Sequence, residues 1–230
     1  MKISVALAAY NGERYIGEQI ESILSELQDG DEIIVSDDNP KGKTKAAVEK
    51  YSKLDSRVKY IEGKGKGVCK NFENAVNNCT GDVVFFCDQD DVWLKGKRDT
   101  VVKEIENGAD VVLHDAMMTD KDLNVINPSF FEENGSQEGF LKNFIKNSYM
   151  GCCMAVKKDF LLKCLPFPEK LPMHDWWIGL IAEKYGKVKF IKTPLIYHRC
   201  HGDNVTGGKT SLKDKIVWRF RILSDIIRLK

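Results

Sequence analysis

Through the first half of the chain, apolar runs too short for a helix alternate with segments whose apolar residues recur at helical spacing. Few folds accept that rhythm. Ile3–Ala8 reads as a strand buried on both faces and Tyr10-Asn11-Gly12 as a turn; Ile16, Ile20, Ile23, Leu24 and Leu27 form one face of a helix. Glu32–Val35, Val58–Ile61, Val83–Phe86 and Asp110–Leu113 repeat the strand pattern. Helices are expected between them, near Thr44–Lys53, from Val68 to Cys79 and at Lys97–Glu106. This alternation implies an α/β fold, a mostly parallel sheet with helices on both faces. Beyond about Asp120 the rhythm breaks. Asn127–Gly139 is loop-like and Met150–Val156 reads as a strand. A helix is expected at Asp175–Tyr185, strands at Val188–Ile191 and Leu195–His198, and a loop at Gly202–Gly208.

Composition narrows the function classes. Hydrophobic residues at 43% and charged residues at 30% fit a globular domain whose core 230 residues can bury. A net charge of +1 gives no field that would argue for nucleic acid. Met1–Val5 leads straight into a strand without a signal-peptide layout, and no apolar stretch approaches bilayer-spanning length. The seven cysteines contain no Cys-x-x-Cys pair, and several sit in apolar segments. They read as reduced thiols in a cytoplasmic protein.

Three acids, Asp88, Asp90 and Asp91, follow directly on the apolar run Val83–Phe86. A pair of like charges ~4 Å apart repels by about 4 kcal/mol at an effective dielectric of ~20, so a cation normally relieves such a group. Carboxylate oxygens suit Mg²⁺ or Mn²⁺, which shares them with a substrate phosphate. A solvated acidic turn that starts a helix is the plainer alternative. Asp37 and Asp38 end an earlier strand, and Tyr10-Asn11 follow the first. In a parallel sheet all three sit on one edge, where an aromatic ring, a carboxylate and a metal would make a nucleotide site. The run Gly63-Lys64-Gly65-Lys66-Gly67 and Lys70 offer backbone and ammonium groups to a diphosphate, or form a basic surface loop. Gly42-Lys43-Thr44 and Gly208-Lys209-Thr210 end like a P-loop, but Asp37 and Asp203 stand where its first glycine is required.

Taken in order, Ala9-Tyr10-Asn11-Gly12, Ile34-Val35-Ser36-Asp37-Asp38 and Asp88-Gln89-Asp90-Asp91-Val92-Trp93 resemble inverting family 2 glycosyltransferases of the A-type, Rossmann-like fold. His174-Asp175-Trp176-Trp177 and Tyr197-His198-Arg199-Cys200-His201-Gly202 are similar to the bacterial rhamnosyltransferase-like branch. The resemblance implies a nucleotide-sugar-binding half at 1–115 and an acceptor-side half at 116–210, with a C-terminal amphipathic helix at 211–230. It implies that Ala8, Tyr10 and Asp38 hold the nucleoside; Asn11, Gly67 and Lys70 are expected beside them from their own place in the chain. Asp90 and Asp91 fall in the metal–diphosphate motif for Mn²⁺ or Mg²⁺, and Asp175 matches the catalytic base; on its own chemistry His201 offers a metal or phosphate contact, or serves as a structural histidine. The partners implied are a nucleoside-diphosphate sugar such as dTDP-rhamnose or a UDP-hexose, and a glycan, lipid-linked or protein-linked acceptor. Asn39-Pro40, Gly96 and Cys200 depart from the usual pattern.

The residues support this chemistry independently. Asp175, next to Trp176 and Trp177, would gain proton affinity by desolvation; an acid capping the helix that follows is the structural alternative. Asp-x-Asp-x-Val after an apolar strand also fits a haloacid-dehalogenase-type phosphatase, although that family begins with this strand. A catalytically dead nucleotide-sugar-binding domain is the non-enzyme alternative. In the tail, Leu212, Ile216, Leu223 and Ile227 share a stripe, and six Lys/Arg outnumber two acids. Such a helix docks on a membrane surface, packs on its own domain or joins a second subunit.

Overall fold

The computed structural model describes residues 1–202 and 211–229. The Gly208-Lys209-Thr210 motif and the Asp203-Asn204-Val205 end of the His201 segment lie outside the described residues. One sheet organises the chain. Its strands are β1 (Ile3–Ala9), β2 (Glu32–Asp37), β3 (Val58–Glu62), β4 (Val83–Asp88), β5 (Val92–Trp93), β6 (Val111–Thr119), β7 (Val125–Asn127), β8 (Met154–Lys157) and β9 (Val188–Arg199). They lie in the order β3-β2-β1-β4-β8-β6-β9-β5, with β7 paired to β6. β1, β2, β3 and β4 are mutually parallel, and β6 and β9 run the same way. The antiparallel β8 separates β4 from β6. The mostly parallel sheet expected from the alternation is therefore present.

Helices cover both faces. α1 (Ile16–Leu24), α2 (Thr44–Ser52) and α4 (Lys97–Glu106) pack on the face that includes Val5, Leu7 and Phe85. α3 (Val68–Asn78), α8 (His174–Tyr185) and α9 (Leu212–Arg228) cover the face with Ala6, Val84 and Phe86. Alternate residues of one strand thus feed two cores, which is why β1 and β4 are apolar apart from Ser4 and the terminal Asp88. The shorter helices α5 (Phe130–Asn134), α6 (Phe140–Ile145) and α7 (Lys158–Leu161) lie in the second half. α8 is buried from His174 to Ala182, so it behaves as a core element and not as an amphipathic surface helix.

Two differences from the sequence reading have local causes. The segment 127–139, expected as loop, contains α5, whose N-cap Ser129 accepts the Glu132 N–H. The two strands expected at 188–191 and 195–198 are one strand, β9. It bulges between Ile191 and Pro194, where Lys192 and Thr193 are extra against β6. Proline cannot donate to the ladder, so the bulge absorbs it.

The strand order places the site. From β1 the chain steps outward to β2 and β3, then returns to the other side of β1 with β4. The crevice at the carboxyl ends of β1 and β4 is the point where open α/β sheets bind ligands.

Candidate active site

A cavity of about 890 Å³ opens at that crevice. Ala8 and Tyr10 from the end of β1, Asp38 from β2, Gly67 from the start of α3 and Asp88, Gln89 and Asp90 from the end of β4 line it. Tyr149, Gly151, His174 and Asp175 line it as well, as do His198, Cys200 and His201. Five sequence motifs spread over nearly two hundred residues therefore meet around one space.

At the β2 end, Asp38 accepts hydrogen bonds from Gly65 N–H and Gly67 N–H, both at 2.8 Å. Gly67 makes this turn with φ at 85°, a conformation that costs a side chain dearly. The glycine loop thus spends two N–H groups on Asp38, though each carboxylate oxygen keeps a further lone pair for a ligand. Its neighbour Asp37 is fully buried, accepting from Asn39 N–H and Tyr60 hydroxyl. Lys70, expected at the diphosphate, lies elsewhere. Its ammonium bonds Glu73 at 3.0 Å and the Phe167 carbonyl at 2.9 Å, away from the cavity wall. Asn11 also stands off the cavity: with φ at 53°, it accepts from the Asn39 amide at 2.8 Å and shapes the turn. Asn39, one of the departures from the usual pattern, is thereby accounted for.

Gln89 is a residue that the sequence reading did not single out. Its amide clamps the Tyr10 backbone from both sides, accepting from Tyr10 N–H at 2.8 Å and donating to Tyr10 carbonyl at 3.0 Å. A Cβ at Gly12 would come within 2.0 Å of the Gln89 Oε1, so this clamp requires glycine there.

Past β4 the acids divide. Asp90 lines the cavity and bonds His201 Nε2 at 2.9 Å. Tyr15 stacks on the His201 ring with centroids 5.1 Å apart. Asp91, expected beside Asp90 at the metal, lies behind the wall instead: it is 1% exposed, and its Oδ1 bonds His198 Nδ1 at 2.9 Å. Burial alone would lower the affinity of His198 for a proton. The Asp91 charge and hydrogen bond outweigh it and push the imidazole up to about 10. Burial and the neighbouring Asp91 and Asp90 charges push Asp88 up to about 8, and burial and Asp91 likewise raise Asp90. The short antiparallel pairing of β5 with β9, Val92 against Tyr197 and Trp93 against Ile196, is what carries the His198–His201 segment to these acids.

Among the described residues one cluster has the spacing of a metal site. Asp91, Cys152 and His198 hold ligand atoms within 4.8 Å of one another, but they are buried, and Cys153, burial and Asp91 raise the Cys152 thiol well above its usual range. A protonated thiol does not suit Mg²⁺ or Mn²⁺, which prefer oxygen. Asp88, Asp90 and His201 line the cavity, and a divalent cation there would relieve the crowded negative charge that raises both acids.

Asp175, which also lines the cavity, stands in the first turn of α8. Its Oδ1 accepts the Trp176 N–H at 2.6 Å, so one oxygen does satisfy the helix end. Burial nevertheless raises Asp175 to about 7, against the lowering effect of backbone N–H groups from Trp176 and Gly151. It is a carboxylate poised to exchange a proton near neutrality. His174 beside it packs among Phe72, Phe86 and Phe167, and burial drops it to about 3, so it stays neutral.

Residues 4–165 match the family described as Glycosyl transferase family 2. The chain belongs to that family. An uncharacterized glycosyltransferase of Methanocaldococcus jannaschii is 30% identical over 207 residues, covering 86% of this chain and 70% of that protein. The dTDP-rhamnosyl transferase RfbG of Shigella flexneri is 27% identical over 91% of this chain and 76% of its own length. A GalNAc(5)-diNAcBac-PP-undecaprenol beta-1,3-glucosyltransferase of Campylobacter jejuni is 27% identical over 98% and 74%. This family 2 chain spans 66% of an uncharacterized glycosyltransferase of Nostoc sp.. Among solved structures, S. aureus TarS 1-349 in complex with UDP-GlcNAc superposes with a TM-score of 0.76 at 21% identity, covering 100% of this chain and 68% of that one. That likeness fixes the fold as the glycosyltransferase A-type. The haloacid-dehalogenase-type reading gives way to the family, since the acidic motif follows the fourth strand. Among the described residues no helix is long and apolar enough to cross a membrane.

Proposed function

We propose that the chain transfers a hexosyl group, from dTDP-rhamnose or a UDP-hexose, to a glycan or lipid-linked acceptor with inversion at the anomeric carbon. The observation that carries this reading is that Asp90, His201 and Asp175 line one and the same cavity. Inversion needs a base on one side of the sugar and a stabilised leaving group on the other. Asp175 takes the proton from the acceptor hydroxyl as that oxygen forms the new glycosidic bond. Its Oδ1 stays anchored to the helix, leaving Oδ2 for this role. Tyr10 and Ala8 form the floor for the nucleoside, and Asp38 accepts a hydrogen bond from its base or ribose. Asp90 and His201, with Asp88 behind them, would hold Mn²⁺ or Mg²⁺, which neutralises the nucleoside diphosphate as it departs. Asp91 acts from behind by fixing His198 and the strand that presents His201. The relatives that act on undecaprenyl-linked glycans and use dTDP-rhamnose favour such donors and acceptors.

The test is a panel of dTDP-, UDP- and GDP-sugars scored for Mn²⁺-dependent protection against heat, followed by NMR of the product's anomeric configuration. One dTDP- or UDP-sugar should protect, and transfer should invert. Protection by none of them, or phosphate release without transfer, would rule the reading out.

A further inference from the structure

α9 carries two apolar stripes. Trp218, Ile222, Ile226 and Leu229, spaced i, i+4, i+8 and i+11, face the body, where Ile222 and Ile226 are fully buried in the same core as α3 and α8. Arg219 fastens the helix there: its Nε donates to the Phe144 carbonyl at 3.0 Å and its Nη2 to the Ile145 carbonyl, with the guanidinium 5.4 Å above the Trp176 ring. The second stripe is Ile216, Phe220, Leu223 and Ile227, at i, i+4, i+7 and i+11, and it faces outward. Ile216 is 47%, Phe220 70% and Ile227 65% exposed. On α6, which Arg219 ties to α9, Leu141 is 73% and Ile145 69% exposed. Single exposed apolar side chains are ordinary, but five on two adjoining helices form a patch.

Charge indicates what covers it. Lys213 is exposed beside the outward stripe of α9, and Lys142 and Lys146 are exposed in and just after α6, whereas Arg221 and Arg228 lie round the helix nearer its acids. At 100° per residue, the acids of α9, Asp214 and Asp225, fall on the side away from the outward stripe. Asp214 is further engaged by the Ser211 hydroxyl at 2.6 Å. An apolar stripe beside cations, with the acids turned away, complements a layer of hydrocarbon under phosphate headgroups. A two-fold contact with a second copy would set this cationic rim against itself.

We propose that the α6–α9 face docks on the surface of an anionic phospholipid bilayer, with Phe220, Ile216 and Ile227 at the acyl boundary and the cations on the headgroups. The orientation that follows is productive. Asn147, Tyr149 and Met150, which come directly after α6, line the cavity, and Arg219 rests on Trp176 next to Asp175. Docking therefore brings the acceptor wall of the cavity to the membrane. The proposal does not depend on which sugar is transferred, or on transfer at all.

Co-sedimentation of the full chain with vesicles tests it. Binding is expected to phosphatidylglycerol-containing vesicles but not to pure phosphatidylcholine, and to weaken as salt rises. The combined substitution Ile216→Ser, Phe220→Ser and Ile227→Ser should cut that binding about tenfold or more while leaving the circular dichroism and thermal transition unchanged. Lys213→Glu with Lys142→Glu, which leaves the apolar stripe intact, should do the same. Negligible binding of the intact chain to both vesicle types would overturn the proposal. So would undiminished binding by the well-folded serine variant. A dimer by sedimentation that the serine variant converts to monomer, without any vesicle binding, would assign the face to a second copy instead.

Discussion

The two pairs of consecutive acids at the cavity look alike in sequence and differ in how they are built. At the β2 end Asp38 faces the cavity while Asp37 is locked among Tyr60 and Asn39; past β4, Asp90 faces the cavity while Asp91 is locked to His198. In both, one acid serves the space and its neighbour serves the fold. The partners differ in origin. Asp38 is held by main-chain N–H groups 27 and 29 residues away, across the single β2–α2–β3 unit. Asp90 and Asp91 are held by imidazoles 111 and 107 residues away, delivered by β9 only after the second half of the chain has folded. The nucleoside end of the site is thus a local product of the front half, whereas the diphosphate end depends on a long-range strand pairing.

The sharpest way to break this comparison is to exchange the two acids past β4. Asp90→Asn should lower transfer by about 10²-fold or more and remove its response to Mn²⁺, with the thermal transition unchanged. Asp91→Asn should leave metal-stimulated turnover per folded molecule largely intact and cost about 3–5 kcal/mol of stability, because it strands a buried imidazolium. If Asp91→Asn abolishes the metal response at full stability, the division between the two is wrong.

At the same cavity, Asp175→Asn should retain donor binding and reduce transfer by about 10²-fold. With a raised affinity for protons, Asp175 is protonated and inactive as a base below about 7. The wild-type kcat/KM should therefore rise with pH and level off above that point. A flat profile from pH 5.5 to 8.5 would remove Asp175 from the base role.

The locked pair also has a signature in stability against pH. His198 sits higher in the folded protein, at about 10, than the usual 6.5, so the folded state holds the extra proton between those values. Its stabilisation is fully present below about pH 6.5 and is lost as pH rises through about 10. The thermal transition should fall over that range, and His198→Gln should flatten the slope.

The smallest effects are expected at the β2 pair. Asp38→Asn should weaken nucleotide-sugar binding by about tenfold, roughly 1.4 kcal/mol, in calorimetry. Asp37→Asn should change binding little, because burial already raises the affinity of Asp37 for a proton and an amide is close to that neutral form. Equal losses from both would dissolve the distinction between cavity and fold.

Much of the front half was legible because its signals are local. Largely apolar runs marked β1, β2 and β4, helical spacing marked α1 and α3, and parallel order put Tyr10, Asp38 and Asp90 on one edge. The bulged β9, the helix α5 inside an expected loop and the buried all-round α8 were less legible. Their character is set by what packs around them and not by their own periodicity. The same holds within the site. Sequence spacing selected the motif Asp88-Gln89-Asp90-Asp91, since three acids behind an apolar strand need a cation. It did not distinguish Asp90 from Asp91, because which way each side chain turns is decided by β5 pairing with β9 and bringing His198 and His201 to opposite sides. It assigned Lys70 to a phosphate, whereas Glu73 and the Phe167 carbonyl hold that ammonium elsewhere. In the tail it marked the stripe Leu212, Ile216, Leu223 and Ile227 without saying which way it faces, and the tertiary structure decided that Ile222 and Ile226, on another face, are what the core takes. Patterns along the chain determine which residues can be buried or charged together; which of two equivalent residues meets the ligand depends on distant partners that only packing brings within a few ångströms.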